Sequence, residues 1–171
     1  MEQTSENALL NWDVFVTPGI PIVTRDLPPG VREAYFQAMA STLIYGMRDA
    51  VLVDAFMTVK QANALADWVA AKGKNLTTIY ITHGHGDHWF GIGTLLERFP
   101  NARAVATPNV VKVMRQQASP EGLKIWKAVH PRFRPPGGND DNRSGVVRQD
   151  VGALSEPGQS WVGALEFRTR S

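Results

Sequence analysis

"THGHGDHWFG", residues Thr82 to Gly91, places three of the chain's four histidines and one aspartate between His83 and His88. The stretch before it, "LTTIYIT" (76–82), is a β-branched run of the kind that forms a buried strand. The stretch after it, "GTLLERF", reads as a short helix that stops before Pro100. This placement decides what the imidazoles can do. On an α-helix two side chains at i and i+2 would point about 200° apart. In an extended segment or the turn that ends it, they share one side. His83 and His85 can therefore face one ion, and Asp87 and His88, beyond the bend, can face a neighbouring one. Gly84 and Gly86 are expected to let the backbone bend closely around the ion, with no Cβ in the way. Imidazole and carboxylate without sulfur suit one or two zinc ions, and also iron or manganese. Two plainer readings compete: Asp87 as a helix cap, or a solvated turn that is histidine-rich by chance. Four such side chains between an apolar strand and a helix favour the metal reading.

Working outward, "WDVFVTPGIPIVT" (12–24) suggests short edge strands broken by Pro18, Gly19 and Pro21. Ser41–Tyr45 and Ala50–Phe56 are strand candidates joined by a hairpin connection at "GMRD". Ala62, Leu65, Ala66, Val69 and Ala70 recur at helical spacing, so a helix is expected from about Val59 to Lys72, ended by Gly73. "ARAVAT" reads as a further strand. Thr107 as N-cap and Pro108 in the first helical position open another helix through "NVVKVMRQQ". "SPEGLKIWKAVH" suggests one more, with Leu123, Trp126 and Val129 on one side. Strands and helices alternating in this way predict an α/β layered domain. Residues 131–171 are turn-rich and are expected to be loop-rich and poorly packed, with only fragments of strand.

Composition narrows the function. The 171 residues, 43% hydrophobic and 20% charged, suit one soluble globular domain, taken here as 1–171. A formal net charge of +2 without a Lys/Arg run argues against nucleic acid as a partner. "PRFRPP" is read as solvent-facing loop charge. There is no cysteine, which excludes disulfides and thiolate chemistry. The first residues show no secretory signal pattern, and no apolar run reaches the roughly 18 residues of a membrane span, so a cytoplasmic protein without membrane contact is expected. The glycines of the motif lack the G-K-[ST] of a phosphate loop.

"THGHGDHWFG" resembles the metal-binding signature of the metallo-β-lactamase superfamily, and "AVLVDAF" resembles the strand-end aspartate that precedes it there. The resemblance covers roughly Ser41 to Val113. It implies the N-terminal part of an αββα sandwich, with His83 and His85 on a first metal and Asp87 and His88 on a second. It also implies that Asp87 orients the attacking water and that Asp54 supports the site from behind. Read from the residues alone, Asp54 is equally an aspartate closing a strand before a turn. Ala55-Phe56 departs from the small, glycine-containing turn often seen in similar proteins.

Similar proteins complete the site with a histidine, a bridging aspartate and a last histidine further along the chain. Here only His130 remains, after a helical segment, and it is read as a helix-end histidine rather than a ligand. Asp140, Asp141 and Asp150 lack the expected context. A catalytic zinc normally takes three protein ligands plus water, and the motif supplies about two per metal. One sheet with its helices would also leave an apolar face uncovered, inviting self-association. The sequence therefore reads as an incomplete domain of this kind, as a truncated or frame-shifted gene would leave.

Two functions follow as expectations. One is a metal-dependent hydrolase of a small-molecule ester, lactone, thioester, amide or phosphoester. In it Trp89 and Phe90 either wall the pocket or, as aromatics at a helix start usually do, join the core. The segment from Glu121 to Phe133 is a candidate substrate-facing cap. The other is a non-enzymatic remnant or interaction module with weak metal binding.

Overall fold

The computed structural model describes residues 10–24 and 27–129. Its centre is a five-stranded sheet in the order β1-β4-β5-β6-β7. The strands are β1 (Asn11–Thr17), β4 (Met39–Tyr45), β5 (Asp49–Val53), β6 (Asn75–Tyr80) and β7 (Arg103–Val105). A separate two-stranded ribbon joins β2 (Ile20–Ile22) to β3 (Ala34–Phe36). β1, β4 and β5 run antiparallel in turn, whereas β5, β6 and β7 are parallel. Parallel neighbours need crossover connections. Helix α1 (Val59–Ala71) makes the first, and α2 (Gly86–Trp89) with α3 (Ile92–Arg98) makes the second. Helices α4 (Pro108–Gln117) and α5 (Pro120–Val129) close the described chain. The expected α/β layering is what the structure has.

Side-chain alternation gives the sheet one closed face. Leu43, Leu52, Ile79 and Ala104 lie side by side across four strands and pack into a single core with Leu65, Val69 and Leu95 from α1 and α3, with Phe15 of β1 against it. α1 starts at a capping box. Thr58 Oγ1 accepts from the Gln61 backbone, and Gln61 Oε1 accepts in return from the Thr58 backbone. Gln61 is buried, and its amide donates to Thr17 Oγ1 at 3.1 Å, tying the helix start to the end of β1. Gly73, at φ +62°, ends α1 in the left-handed conformation that favours glycine.

Several expectations need correction. The short edge strands expected within 12–24 are β1 and β2, parted at Pro18-Gly19; only Pro21 fails to break a strand and lies inside β2. β3 is too short to leave a periodic signal. Ala70, at helical spacing, faces solvent, because α1 buries a narrower stripe of Ala62, Leu65, Ala66 and Val69. The strand expected to run to Phe56 stops at Val53. Asp54 and Phe56 instead take φ of +66° and +60° and turn the chain. Each such residue stores strain of order 1–3 kcal/mol, and neighbouring contacts hold it. Ala55 N donates to His88 O at 2.7 Å, Gly91 N donates to Phe56 O at 2.9 Å, and the buried Phe56 ring lies 6.1 Å from Phe15.

His130, the turn-rich region 131–171 and the charges of "PRFRPP" lie outside the described residues. No helix among those described is long and apolar enough to cross a membrane.

Candidate metal centre

β5 and β6 are parallel neighbours, so their carboxyl ends open on the same side, and the turns leaving them meet there. Asp54 leaves β5 and Thr82 to His88 leave β6. The two turns are held together by the backbone bonds from Asp54 N to Tyr80 O and from Ala55 N to His88 O.

Asp54 is the hub. It is buried, and its carboxylate accepts from Thr82 N at 2.9 Å, from Thr82 Oγ1 at 2.8 and 3.0 Å, and from His88 Nδ1 at 2.7 Å. Beneath it, Ser41 Oγ donates to the carbonyls of both Val53 and Asp54 at 2.9 Å, pinning the strained turn. Hydrogen accounting then fixes the rings. Thr82 has one hydroxyl hydrogen, and Asp54 takes it. His83 Nδ1, 3.2 Å from Thr82 Oγ1, must therefore be the donor in that contact. One carboxylate thus engages Nδ1 of His88 directly and Nδ1 of His83 through Thr82, so any further partner of either ring meets Nε2, as Asp87 does at His88.

The rings cluster. The His83 and His88 centroids are 3.7 Å apart, and those of His83 and His85 are 5.0 Å apart at 84°. Asp87 is buried, with Oδ2 3.4 Å from His88 Nε2. It is not the N-cap of α2: that position is His85, with no side-chain cap bond, and Asp87 sits inside the first turn. His85 is exposed.

Charge follows from this packing. Burial alone would lower the His88 pKa, but the bonds to Asp54 and Asp87 outweigh it and raise it to about 9. Burial, and then the neighbouring His88 and His85, hold His83 below the usual histidine range. Burial would raise Asp87, yet contact with His88 prevails and keeps its carboxyl below the ordinary value. His88 is therefore an imidazolium between two carboxylates, and its Nε2 proton is the one a cation can displace.

The donor set fits a borderline cation by its chemistry: imidazole nitrogens beside a carboxylate, with the rings of His83 and His88 each oriented by a hydrogen bond at Nδ1. The donor atoms are not gathered. Among the described residues no group of three or more His, Asp or Glu is placed to hold one ion.

The motif glycines have a different purpose from the one expected. Neither Gly84 nor Gly86 takes a positive φ. A Cβ on Gly84 would stand 2.5 Å from Val113 Cβ and 2.7 Å from Val110 O, and one on Gly86 would overlap the Phe90 ring. They are small because α4 and Phe90 press against the loop. Trp89 and Phe90 are core rather than pocket wall, and Trp89 Nε1 donates to Gly84 O at 3.0 Å inside that core. Phe90 meets Trp126 of α5 at 5.6 Å, and Trp126 also meets Phe36. The residue that sequence reasoning missed is Thr82. Its signal was a hydroxyl at the strand end, directly before the first histidine.

An α/β layered domain whose histidines and carboxylates lie on the turns where two parallel strands end defines the class. The profile of the metallo-beta-lactamase superfamily matches residues 38–159, and the chain belongs to that superfamily. Hydroxyacylglutathione hydrolase of Francisella tularensis subsp. novicida is 34% identical over 64 residues, which are 37% of this chain and 24% of that protein. The enzyme from F. tularensis subsp. holarctica matches to the same extent. The chain thus spans about a quarter of the length of these curated relatives. Among solved structures, the SMB-1 metallo-beta-lactamase with mercaptoacetic acid is 28% identical, covering 48% of this chain and 33% of that one at a TM-score of 0.41. The MIM-2 metallo-beta-lactamase is 29% identical, covering 48% and 32% at 0.41.

Proposed function

We propose that the chain carries the cation-binding part of a metal-dependent hydrolase acting on a small ester, lactone, thioester, amide or phosphoester. The observation that carries this reading is the Asp54 relay, which ties Nδ1 of His88 and, through Thr82, of His83, so that Nε2 is the nitrogen of each ring left to meet a cation. Superfamily membership supports it, and the hydroxyacylglutathione hydrolases put thioesters first in the panel to try. His83, His85, Asp87 and His88 would hold one or two divalent cations, zinc before iron or manganese, after small rotations that gather their donors. Once bound, the cation would polarise the scissile bond and acidify water.

The remaining roles belong to the chain. Asp54 and Thr82 keep the imidazoles in the tautomers that expose Nε2. Asp87, kept ionised beside His88, accepts a proton from the attacking water and holds that water in line. The reaction needs neither nucleic acid nor membrane, and we place it in the cytoplasm.

A second reading rests on the ungathered donors: the chain keeps the scaffold, binds metal weakly and turns over nothing. Metal content of the purified full chain, measured beside hydrolysis of thioesters, lactones and esters, separates the two. The hydrolase reading predicts stoichiometric zinc, with metal and turnover both lost in His85→Ala. Sub-stoichiometric metal with no turnover contradicts it.

A further inference from the structure

Two different parts of the molecule hold the histidine loop. The Asp54 relay fixes the rings of His83 and His88 through Nδ1 and does not reach His85. The His85 ring is exposed, makes no side-chain cap bond and lies edge-on to His83 at 5.0 Å. Its backbone is held instead. His85 stands between two buried glycines, and each is pressed from outside the motif. On one side α4 seats Val113, Val110 and Met114 against Gly84, where a Cβ would stand 2.5 to 2.8 Å from them. On the other the Phe90 ring lies on Gly86, and Trp126 of α5 meets that ring edge-on at 5.6 Å and 87°.

α4 and α5 are joined closely enough to act as one support. Trp126 Nε1 donates to Gln117 Oε1 of α4 at 2.6 Å, and Ser119 Oγ accepts from Gly122 N at 3.1 Å. Gly122 lets α5 fold back over the end of α4, since a Cβ there would stand 2.5 Å from the carbonyls of Gln116 and Gln117. Trp126 also meets Phe36 of the β2–β3 ribbon at 6.3 Å, which braces it from a further side. Close-packed aromatic edges of this kind transmit position, because no neighbour can shift alone.

We propose that the α4–α5 hairpin positions His85, with Trp126 carrying the contact to the loop. Clamping the backbone on both sides of an exposed ring leaves only rotation about its side-chain bonds to bring it to a cation. The proposal rests on reading His85 as a metal ligand and adds to that reading a support outside the motif. Trp126 acts through Phe90 and Gly86, and is a positioning residue rather than a ligand.

Amide hydrogen exchange of the metal-free full chain, followed by zinc titration, tests this. The reporters are the amides of His88 and Phe90, bonded to the carbonyls of His85 and Gly86, and the Trp89 indole hydrogen on Gly84 O. Trp126→Ala should speed their exchange about tenfold or more. The amides of Asp54 and Ile81, bonded to Tyr80 O and Val105 O, should keep their wild-type rates. Zinc should then bind about tenfold more weakly, with His83 and His88 still answering the metal and His85 no longer doing so. Trp126→Phe keeps an aromatic edge against Phe90 and should recover most of both effects. Should Trp126→Ala fail to fold, Val113→Ala, which withdraws α4 methyls from Gly84, gives the same test. Unchanged exchange at His88 and Phe90 overturns the proposal. Equal acceleration at Asp54 and Ile81 overturns it too, since Trp126 is then a general stabiliser. A wild type that takes up no zinc counts against the metal reading, and the metal-free exchange rates still decide the clamp.

Discussion

One strand carries two aspartates in opposite circumstances. Asp49 opens β5 at one end of the sheet, and Asp54 follows its other end. Asp49 is partly exposed; it accepts from Asn75 Nδ2 at 2.7 Å and pairs at 3.1 Å with an Arg48 guanidinium that is almost wholly in water. Water can replace each of those partners, so the pair contributes little. Asp54 is buried, and it gathers a backbone amide, a hydroxyl and an imidazole from the turn after β6 onto one carboxylate. The same carboxylate is replaceable at one end and indispensable at the other, and burial rather than residue type makes the difference.

The comparison can be broken most directly by removing Asp54. Asp54→Ala leaves Thr82 and His88 donors without an acceptor and should destabilise the fold by about 3 kcal/mol, abolishing zinc uptake as well. Chemical denaturation measures the first effect and metal analysis the second. Asp49→Ala should leave the melting temperature within experimental error; a loss as large as that of Asp54→Ala would erase the contrast. Next in size is Gly91→Ala, whose Cβ would overlap Ala55 O and crowd Ala62. It pushes apart the turns that carry Asp54 and His88 and should cost more than about 2 kcal/mol.

Trp89→Phe sharpens the picture from below. It leaves the Gly84 carbonyl without its buried donor, at about 1–2 kcal/mol, and should loosen the loop without removing any proposed ligand. A smaller pH effect is expected far from the site. Hydrogen bonds from Lys72 and then Tyr45 hold the Asp13 carboxyl below its usual 3.8. Its contribution is full above the unfolded value and fades as pH falls through the lowered folded one. An acid titration of Lys72→Met should lack that component of the wild-type curve.

How much of this could be read in the chain depends on the reach of each signal. Local signals were legible. The Thr107-Pro108 helix start, the periodic apolar positions of α1 and the strand before the histidines all appear where the residues put them. The histidine motif announced its own position because its spacing departs from helical periodicity. The T-x-x-Q capping box at Thr58 was also there to be read. Long-range causes were not. Gly84 and Gly86 look like hinges in sequence, but what demands them is α4 and the Phe90 ring, known only once the chain is folded. Likewise, Asp54 could not be told from an ordinary strand-ending aspartate until Thr82 and His88 were placed against it. The exposed apolar face of the sheet was foreseen from the number of strands.

The account turns on ring orientation, which long-range ¹H–¹⁵N spectra of the histidines report directly while zinc is titrated into the full chain. We predict that Nε2 of His83 and His88 moves to the metal-bound position, with Nδ1 of both staying protonated, and that Asp54→Asn scrambles this pattern. Nitrogen shifts that ignore zinc, or a bound metal seen at Nδ1 of His88, would contradict it.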